Sequence, residues 1–205
     1  MITNNYLDTC LCMCGGIIPG WNSQGVLPPV DPSNPVSRDR SPYVVSLDDF
    51  VLRFGTSLER LNILNGFLSF RSALHVAGLI SGFQWLDGSF LESIESLESR
   101  PPHDIDVVTF YYLPPSHTQK TLLSGHPLLF DRDFTKNSYH VDAYFIDLMS
   151  NIPEELISNS AYWYSIWSHR RNSLWKGYLQ IDLSQTDDHI AKDNLEGIMS
   201  RGGTQ

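Results

Sequence analysis

Two short stretches decide the fold: Trp85-Leu86-Asp87-Gly88-Ser89-Phe90 and Asp104-Ile105-Asp106-Val107-Val108. Residues 82–86 read as a strand that ends in a turn at Asp87-Gly88-Ser89. Asp104 to Tyr112 is rich in β-branched and aromatic residues and reads as the next strand. On an extended chain residues i and i+2 share a face, so Asp104 and Asp106 stand side by side while Ile105 and Val107 turn to the core. Two carboxylates this close repel, and a divalent cation is the usual remedy. Mg²⁺ (or Mn²⁺) wants oxygen ligands and is typically held by one or two carboxylates plus substrate phosphates. Asp142, within a β-prone stretch from Tyr139 to Leu148, is the candidate third carboxylate. Such a set suits two-metal activation of a nucleophile and stabilisation of a leaving pyrophosphate. Gly88 lets the backbone approach a phosphate, and Ser89 sits where a helix would begin, offering amides and a hydroxyl to phosphate oxygens. Each piece also has a plainer reading: a solvated strand start for Asp104 and Asp106, a helix N-cap for Ser89, a turn residue for Asp87. Their order along the chain is the signal.

Outward from this core, Thr56-Ser57-Leu58-Glu59 reads as a Thr-x-x-Glu capping box. The helix it opens carries apolar positions at Leu58, Leu61, Leu64 and Leu68, and further on His75 and Leu79, every three or four residues. Gly66 costs that helix about 1 kcal/mol relative to Ala without breaking it, and Gly78 ends it. Tyr43 to Val45 is β-prone, and Ser46 caps a helical turn up to Phe54. Residues 90–99 form a short helix stopped by Pro101-Pro102, and 113 to 136 read as an irregular connection. Pro153-Glu154-Glu155 opens a helix bearing Leu156, Trp163 and Trp167, with carboxylates at its positive end. Lys176 to Leu183 reads as a strand, Thr186 with Asp187 and Asp188 starts a last helix, and residues 201–205 fray. The expected class is α/β (α+β), a mixed sheet flanked by helices over residues 43–200. Residues 1–42 form an irregular Pro/Gly-rich arm that lies extended over the domain surface.

Composition narrows the function. The 205 residues include 14 Lys+Arg and 23 Asp+Glu, a formal charge of −9. That balance disfavours a grip on long nucleic acid, which needs clustered cations. Five Trp, nine Tyr and ten Phe supply enough apolar surface to exclude disorder throughout. No stretch approaches the ~20 apolar residues that cross a bilayer. The N-terminus lacks the basic, apolar, small-residue order of a secretory signal, so a cytoplasmic protein is expected. Cys10, Cys12 and Cys14 are too few for a structural zinc site alone, and Met13 is an alternative start. His169-Arg170-Arg171 with Lys176 is the second cluster of interest. It either neutralises phosphates from the far side of a cleft or follows the preference of helix C-termini for cations. Trp163, Trp167 and Trp175 read as packing residues before nucleobase platforms. His103, just before the carboxylates, could tune them or accept a proton.

The ordered set resembles the nucleotidyltransferase superfamily that shares the DNA polymerase β core, whose signature is Gly-Ser followed by Asp-x-Asp. More closely, Gly25-Val26-Leu27-Pro28-Pro29, Trp85 to Phe90, Asp104 to Val108 and Lys176-Gly177 resemble an uncharacterised bacterial family with that core. The resemblance spans residues 20 to 183. It implies that Gly88 and Ser89 contact a nucleoside triphosphate, that Asp104, Asp106 and Asp142 bind Mg²⁺, and that Lys176 and Arg170 assist at the phosphates. The activity implied is transfer of a nucleoside monophosphate to a protein or small-molecule hydroxyl. Antitoxin members of the superfamily extend this to a toxin–antitoxin or phage-defence setting with a protein partner. The alternative keeps the fold without the chemistry, as a binding or sensing module. A third reading, a two-metal nuclease, lacks the Lys usually near the paired acids. The spacer from residue 90 to 103 holds 14 residues, longer than the superfamily usually shows. It carries Glu92, Glu95 and Glu98 against Arg100, placing negative charge beside the triphosphate.

Overall fold

The computed structural model describes residues 16–202 except Ser116, Ser150 and Asn151; Cys10, Cys12, Met13 and Cys14 lie outside the described residues. The protein is an α/β fold with a five-stranded mixed sheet in the order β1-β5-β2-β3-β4. The strands are β1 (Tyr43–Val44), β2 (Gly82–Asp87), β3 (Ile105–Tyr111), β4 (Val141–Asp147) and β5 (Leu179–Asp182). β2 runs antiparallel to both β3 and β5, whereas β3 pairs parallel with β4 and β1 with β5. β3, with Ile105, Val107 and Val108 fully buried, is covered on both faces, as its unbroken apolar run requires.

Helices α1 (Leu47–Phe54), α2 (Leu58–Val76), α5 (Arg132–Tyr139) and α7 (Asp188–Gly202) pack with one another on one side. α6 (Pro153–Trp167) covers the other side through aromatic contacts. Trp163 meets Tyr144 of β4 at 4.5 Å between ring centroids, and Trp167 meets Tyr178 at 5.9 Å. Two short helices, α3 (Ile94–Glu98) and α4 (Gln119–Gly125), lie in the connections. The tryptophans Trp163 and Trp167 are thus packing residues, while Trp175 is half exposed.

α1 starts at the expected cap, with Ser46 Oγ accepting the Asp49 amide hydrogen. α2 departs from the expected box: Ser57, not Thr56, is its cap and accepts from the Arg60 amide. The Thr56 amide is already committed to the Phe54 carbonyl in the turn that closes α1. Leu58 is 65% exposed, while Leu61, Leu64, Leu68 and Leu79 of the expected stripe are buried and are joined by Phe67 and Leu74. Gly66 sits where the α5 backbone at Tyr139 crosses α2, and any Cβ there would collide with the Tyr139 carbonyl. The helix-propensity penalty of that glycine is offset by the close approach it permits.

The expected irregular connection from 113 to 136 is instead α4, a 3-10 turn at Pro127–Phe130, and α5. Their seven and eight residues are too few and too polar to show a helical apolar period. Their caps, Thr118 with Thr121 and Asp131 accepting from Phe134, are the local signals that mark them. Consequently β4 begins at Val141, because Tyr139 ends α5 and His140 takes a left-handed conformation at φ 56. β5 is likewise shorter than expected: Lys176 and Gly177 bond to Ser168 and Leu27 before the sheet begins.

Residues 16–42 of the arm lie over the domain, and part of this segment is core: Val26 and Leu27 are fully buried. Gly25 accepts from the Ser93 amide at 2.8 Å, Leu27 from the Gly177 amide at 2.7 Å, and Trp21 donates its indole hydrogen to Leu91 at 2.7 Å. Residues 21–27 therefore brace the segment after β2 and the entry to β5. No helix among the described residues is long and apolar enough to cross a membrane.

Candidate active site

Strand register assembles the acids. Asp87 pairs with Asp106 across β2 and β3, and Asp106 pairs with Asp142 across β3 and β4. Paired positions share a face, so three carboxylates stand abreast where β2 ends and β3 and β4 begin, with Asp104 two residues before Asp106. The sequence reading brought together Asp104, Asp106 and Asp142; it left Asp87 as a turn residue, and register adds it to the row.

Gly88 turns the chain out of β2 at φ +92, and a Cβ at that position would strike the Asp106 carboxylate. Only glycine both adopts this conformation readily and leaves room for the acid. Ser89 then opens a 3-10 turn, with the Glu92 amide donating to its carbonyl. Behind this turn the fully buried Arg60 of α2 forks onto Glu95 at 2.6 and 2.9 Å and donates to the carbonyls of Phe90 and Glu92. The turn is thereby tied to the longest helix.

Lys176 lies within the cluster but deep in it. Its ammonium is 2.8 Å from Asp87 Oδ1 and 3.2 Å from Glu92 Oε1, and all three side chains are almost fully buried. The Lys176 ammonium donates to that Asp87 oxygen, which makes the contact a charge-assisted hydrogen bond. Arg170 holds Glu92 at 3.1 Å and Glu98 at 2.6 Å. The spacer acids are therefore matched: Glu92 by Lys176 and Arg170, Glu95 by Arg60, Glu98 by Arg170 and Arg100. The negative charge expected beside a phosphate is neutralised within the protein.

Two further cations come from α5, which the sequence reading took for irregular chain. Arg132 forks onto both oxygens of Asp142, and Lys136 reaches Asp104 at 2.7 Å and Asp142 at 3.4 Å. Arg132 also stacks over Tyr144 at 4.7 Å. The Asp106 carboxylate makes no hydrogen bond or ion pair with any described residue. Burial, then the charges of Asp104 and Asp142, push its carboxyl up to about 6. Burial pushes Asp87 up to about 7 against the pull of Lys176. Burial would also raise Asp142, but Arg132 and Lys136 outweigh it and hold that carboxyl below its ordinary value. Lys176 is raised because Asp87 and Glu92 overcome its burial.

The acids of the row, the Gly88-Ser89 turn, Lys136, Arg170 and Lys176 line a cleft of about 850 Å³, walled on one side by Tyr162, Trp163 and Ile166 of α6. A larger groove of about 1120 Å³ lies between α2, α5 and α7. Its one carboxylate among the described residues, Asp188, is engaged by Arg71 at 2.7 Å, so the acidic row lies in the smaller cleft. Among the described residues no three His, Cys, Asp or Glu side chains form a ready-made metal cage. The donor set nonetheless fits Mg²⁺ or Mn²⁺: its oxygens are hard, and Asp106 holds a raised carboxyl with no cation on it. Binding requires Lys136 and Arg132 to leave Asp104 and Asp142.

A family model described as "Family of unknown function (DUF6932)" matches residues 19–182, a span that contains every residue of the acidic row, the Gly88-Ser89 turn, Arg170 and Lys176. No curated protein and no solved structure matches the chain.

Proposed function

The chain belongs to that family of unknown function, and on the chemistry of its cleft we propose an Mg²⁺-dependent nucleotidyltransferase. It would move a nucleoside monophosphate from a nucleoside triphosphate to a hydroxyl of a protein or small molecule. The observation that carries this reading is the register: Asp87, Asp106 and Asp142 abreast on three strands, beside a Gly88-Ser89 turn.

In this reading Asp104, Asp106 and Asp142 hold Mg²⁺ or Mn²⁺, which supplies charge neutralisation and Lewis-acid polarisation at the phosphates. Ser89 and the amides after Gly88 bind triphosphate oxygens. Asp87 and Glu92 keep Lys176 charged and fixed behind the turn, so that Lys176 acts on the site's field rather than by direct contact. Arg170 and the α6 wall border the space left for the acceptor. The acceptor oxygen bonds to the α-phosphorus, the bond to the bridging α–β oxygen breaks, and pyrophosphate leaves. The hydroxyl proton passes to a carboxylate of the row, with Asp142 proposed as ligand or base once Arg132 and Lys136 have left it.

A second reading, a nucleotidyltransferase-like binding or sensing module acting through a protein partner, is favoured by one feature. Arg132 and Lys136 already neutralise Asp142 and Asp104. Incubating the protein with α-labelled ATP, GTP, CTP and UTP and Mg²⁺ or Mn²⁺ separates the two. Transfer of label and release of pyrophosphate, both lost in Asp104→Asn/Asp106→Asn, support the enzyme. Folded wild type that binds no nucleotide with metal defeats it and leaves the module.

A further inference from the structure

Arg132 and Lys136 pair with the acids of the row from the solvent side. Lys176 is 5% exposed, Arg170 has only 20% of its side chain exposed, Arg100 is held by Glu98, and Arg171 is exposed on the cleft lining. Arg132 and Lys136 have 55% and 48% of their side chains exposed, and they lie one turn apart on α5. The helix itself is anchored, with its end seated on Gly66 and its start capped by Asp131, so the side chains can move while their base stays put. Neither pair is closed off from water on the cation's side, unlike Lys176 with Asp87 and Glu92. Both cations are thus held over the acids by contacts that a competing charge can replace.

Resting on the nucleotide-binding reading above, we propose that Arg132 and Lys136 are the polyphosphate ligands of this cleft, parked on Asp142 and Asp104 until a divalent cation takes those carboxylates. The exchange follows from charge. Ionised Asp104, Asp106 and Asp142 carry three negative charges, and the two α5 cations offset two of them. A divalent cation on the same acids releases both side chains beside the Gly88-Ser89 turn, where the next available anion is the polyphosphate. The guanidinium fork of Arg132 matches paired phosphate oxygens as it now matches the Asp142 carboxylate. Lys176 and Arg170 are poorer candidates, because Asp87, Glu92 and Glu98 already saturate them.

The test uses the metal-free full chain, wild type against Arg132→Gln/Lys136→Gln, with folding checked by near-UV circular dichroism. Lys192→Gln, the loss of one exposed positive charge on α7 against the two lost in the double variant, sets the effect of net charge per residue. Mn²⁺ alone is titrated by the loss of its free-ion electron paramagnetic resonance signal. Inorganic tripolyphosphate at saturating Mg²⁺ is then titrated by calorimetry. The proposal expects Mn²⁺ to bind about tenfold tighter in the double variant and tripolyphosphate about tenfold weaker. It is overturned if Mn²⁺ binds no tighter than in Lys192→Gln, if neither protein binds Mn²⁺, or if tripolyphosphate affinity is unchanged. These titrations read binding alone, so they are independent of whether labelled nucleotide is transferred.

Discussion

Asp106→Asn should make the metal-free protein more stable at pH 7. The Asp106 carboxyl is raised from 3.8 to about 6, first by burial and then by Asp104 and Asp142. Its proton is bound more tightly in the folded than in the unfolded chain, so its contribution to stability is complete below pH 3.8 and lost as pH rises through about 6. Each tenfold change in proton affinity is worth about 1.4 kcal/mol, so ionising Asp106 in the fold costs about 3 kcal/mol by pH 7. Asparagine keeps the shape without the charge. Urea unfolding between pH 4 and 7.5, in EDTA, should show the wild type losing about 2–3 kcal/mol relative to the variant, mostly between pH 4 and 6. Mg²⁺ should then stabilise the wild type and not the variant, closing the gap by about 2.7 kcal/mol at a hundredfold excess over Kd. The variant would be the more stable protein and the poorer nucleotide binder, as expected where a site holds like charges together. A variant no more stable than wild type at pH 7 without metal would refute the electrostatic account of the row.

The buried triad gives an opposite result. Lys176→Met leaves Asp87 and Glu92 buried without their shared cation and should cost about 3–5 kcal/mol in urea unfolding. Adding Asp87→Asn and Glu92→Gln to it should recover about half of that loss, whereas a further loss would show that the acids are not the cause. Gly88→Ala meets both a positive φ and the Asp106 carboxylate. It should lower stability by about 1–3 kcal/mol and abolish Mg²⁺-dependent nucleotide binding, and unchanged binding would separate the turn from the site. Arg60→Met leaves the carbonyls of Phe90 and Glu92 without their donor, while the exposed Glu95 turns to water. About 2–4 kcal/mol of stability should go with it, and faster amide exchange over residues 90–95 should accompany the loss.

Much of the site could be read from local pattern. The period of two along Asp104-Ile105-Asp106 fixes which acids share a face, and the Gly88-Ser89 turn follows from glycine at a strand end. The start of α1, the aromatic helix α6 and the last helix also follow from caps and spacing that act within one or two turns. Where local signals compete, sequence alone does not choose: Thr56 and Ser57 both cap well, and the Phe54 carbonyl, which takes the Thr56 amide, decides between them.

Other features are not local at all. Asp87 joins the row because β2 pairs with β3 in one register, and Asp142 joins because a parallel crossover brings β4 beside β3. Arg132 and Lys136 reach the acids through α5, whose polar eight residues carry no apolar period and whose position depends on the contact between Tyr139 and Gly66. The burial of Lys176 depends on the arm, whose Leu27 carbonyl holds the adjacent Gly177 amide. By itself the sequence determined the class of the fold and the acids and turn that could do chemistry, since backbone period and turn geometry are properties of neighbouring residues. Tertiary structure alone decided which cations meet those acids, because ion pairs form between side chains that only strand register and helix packing bring within reach.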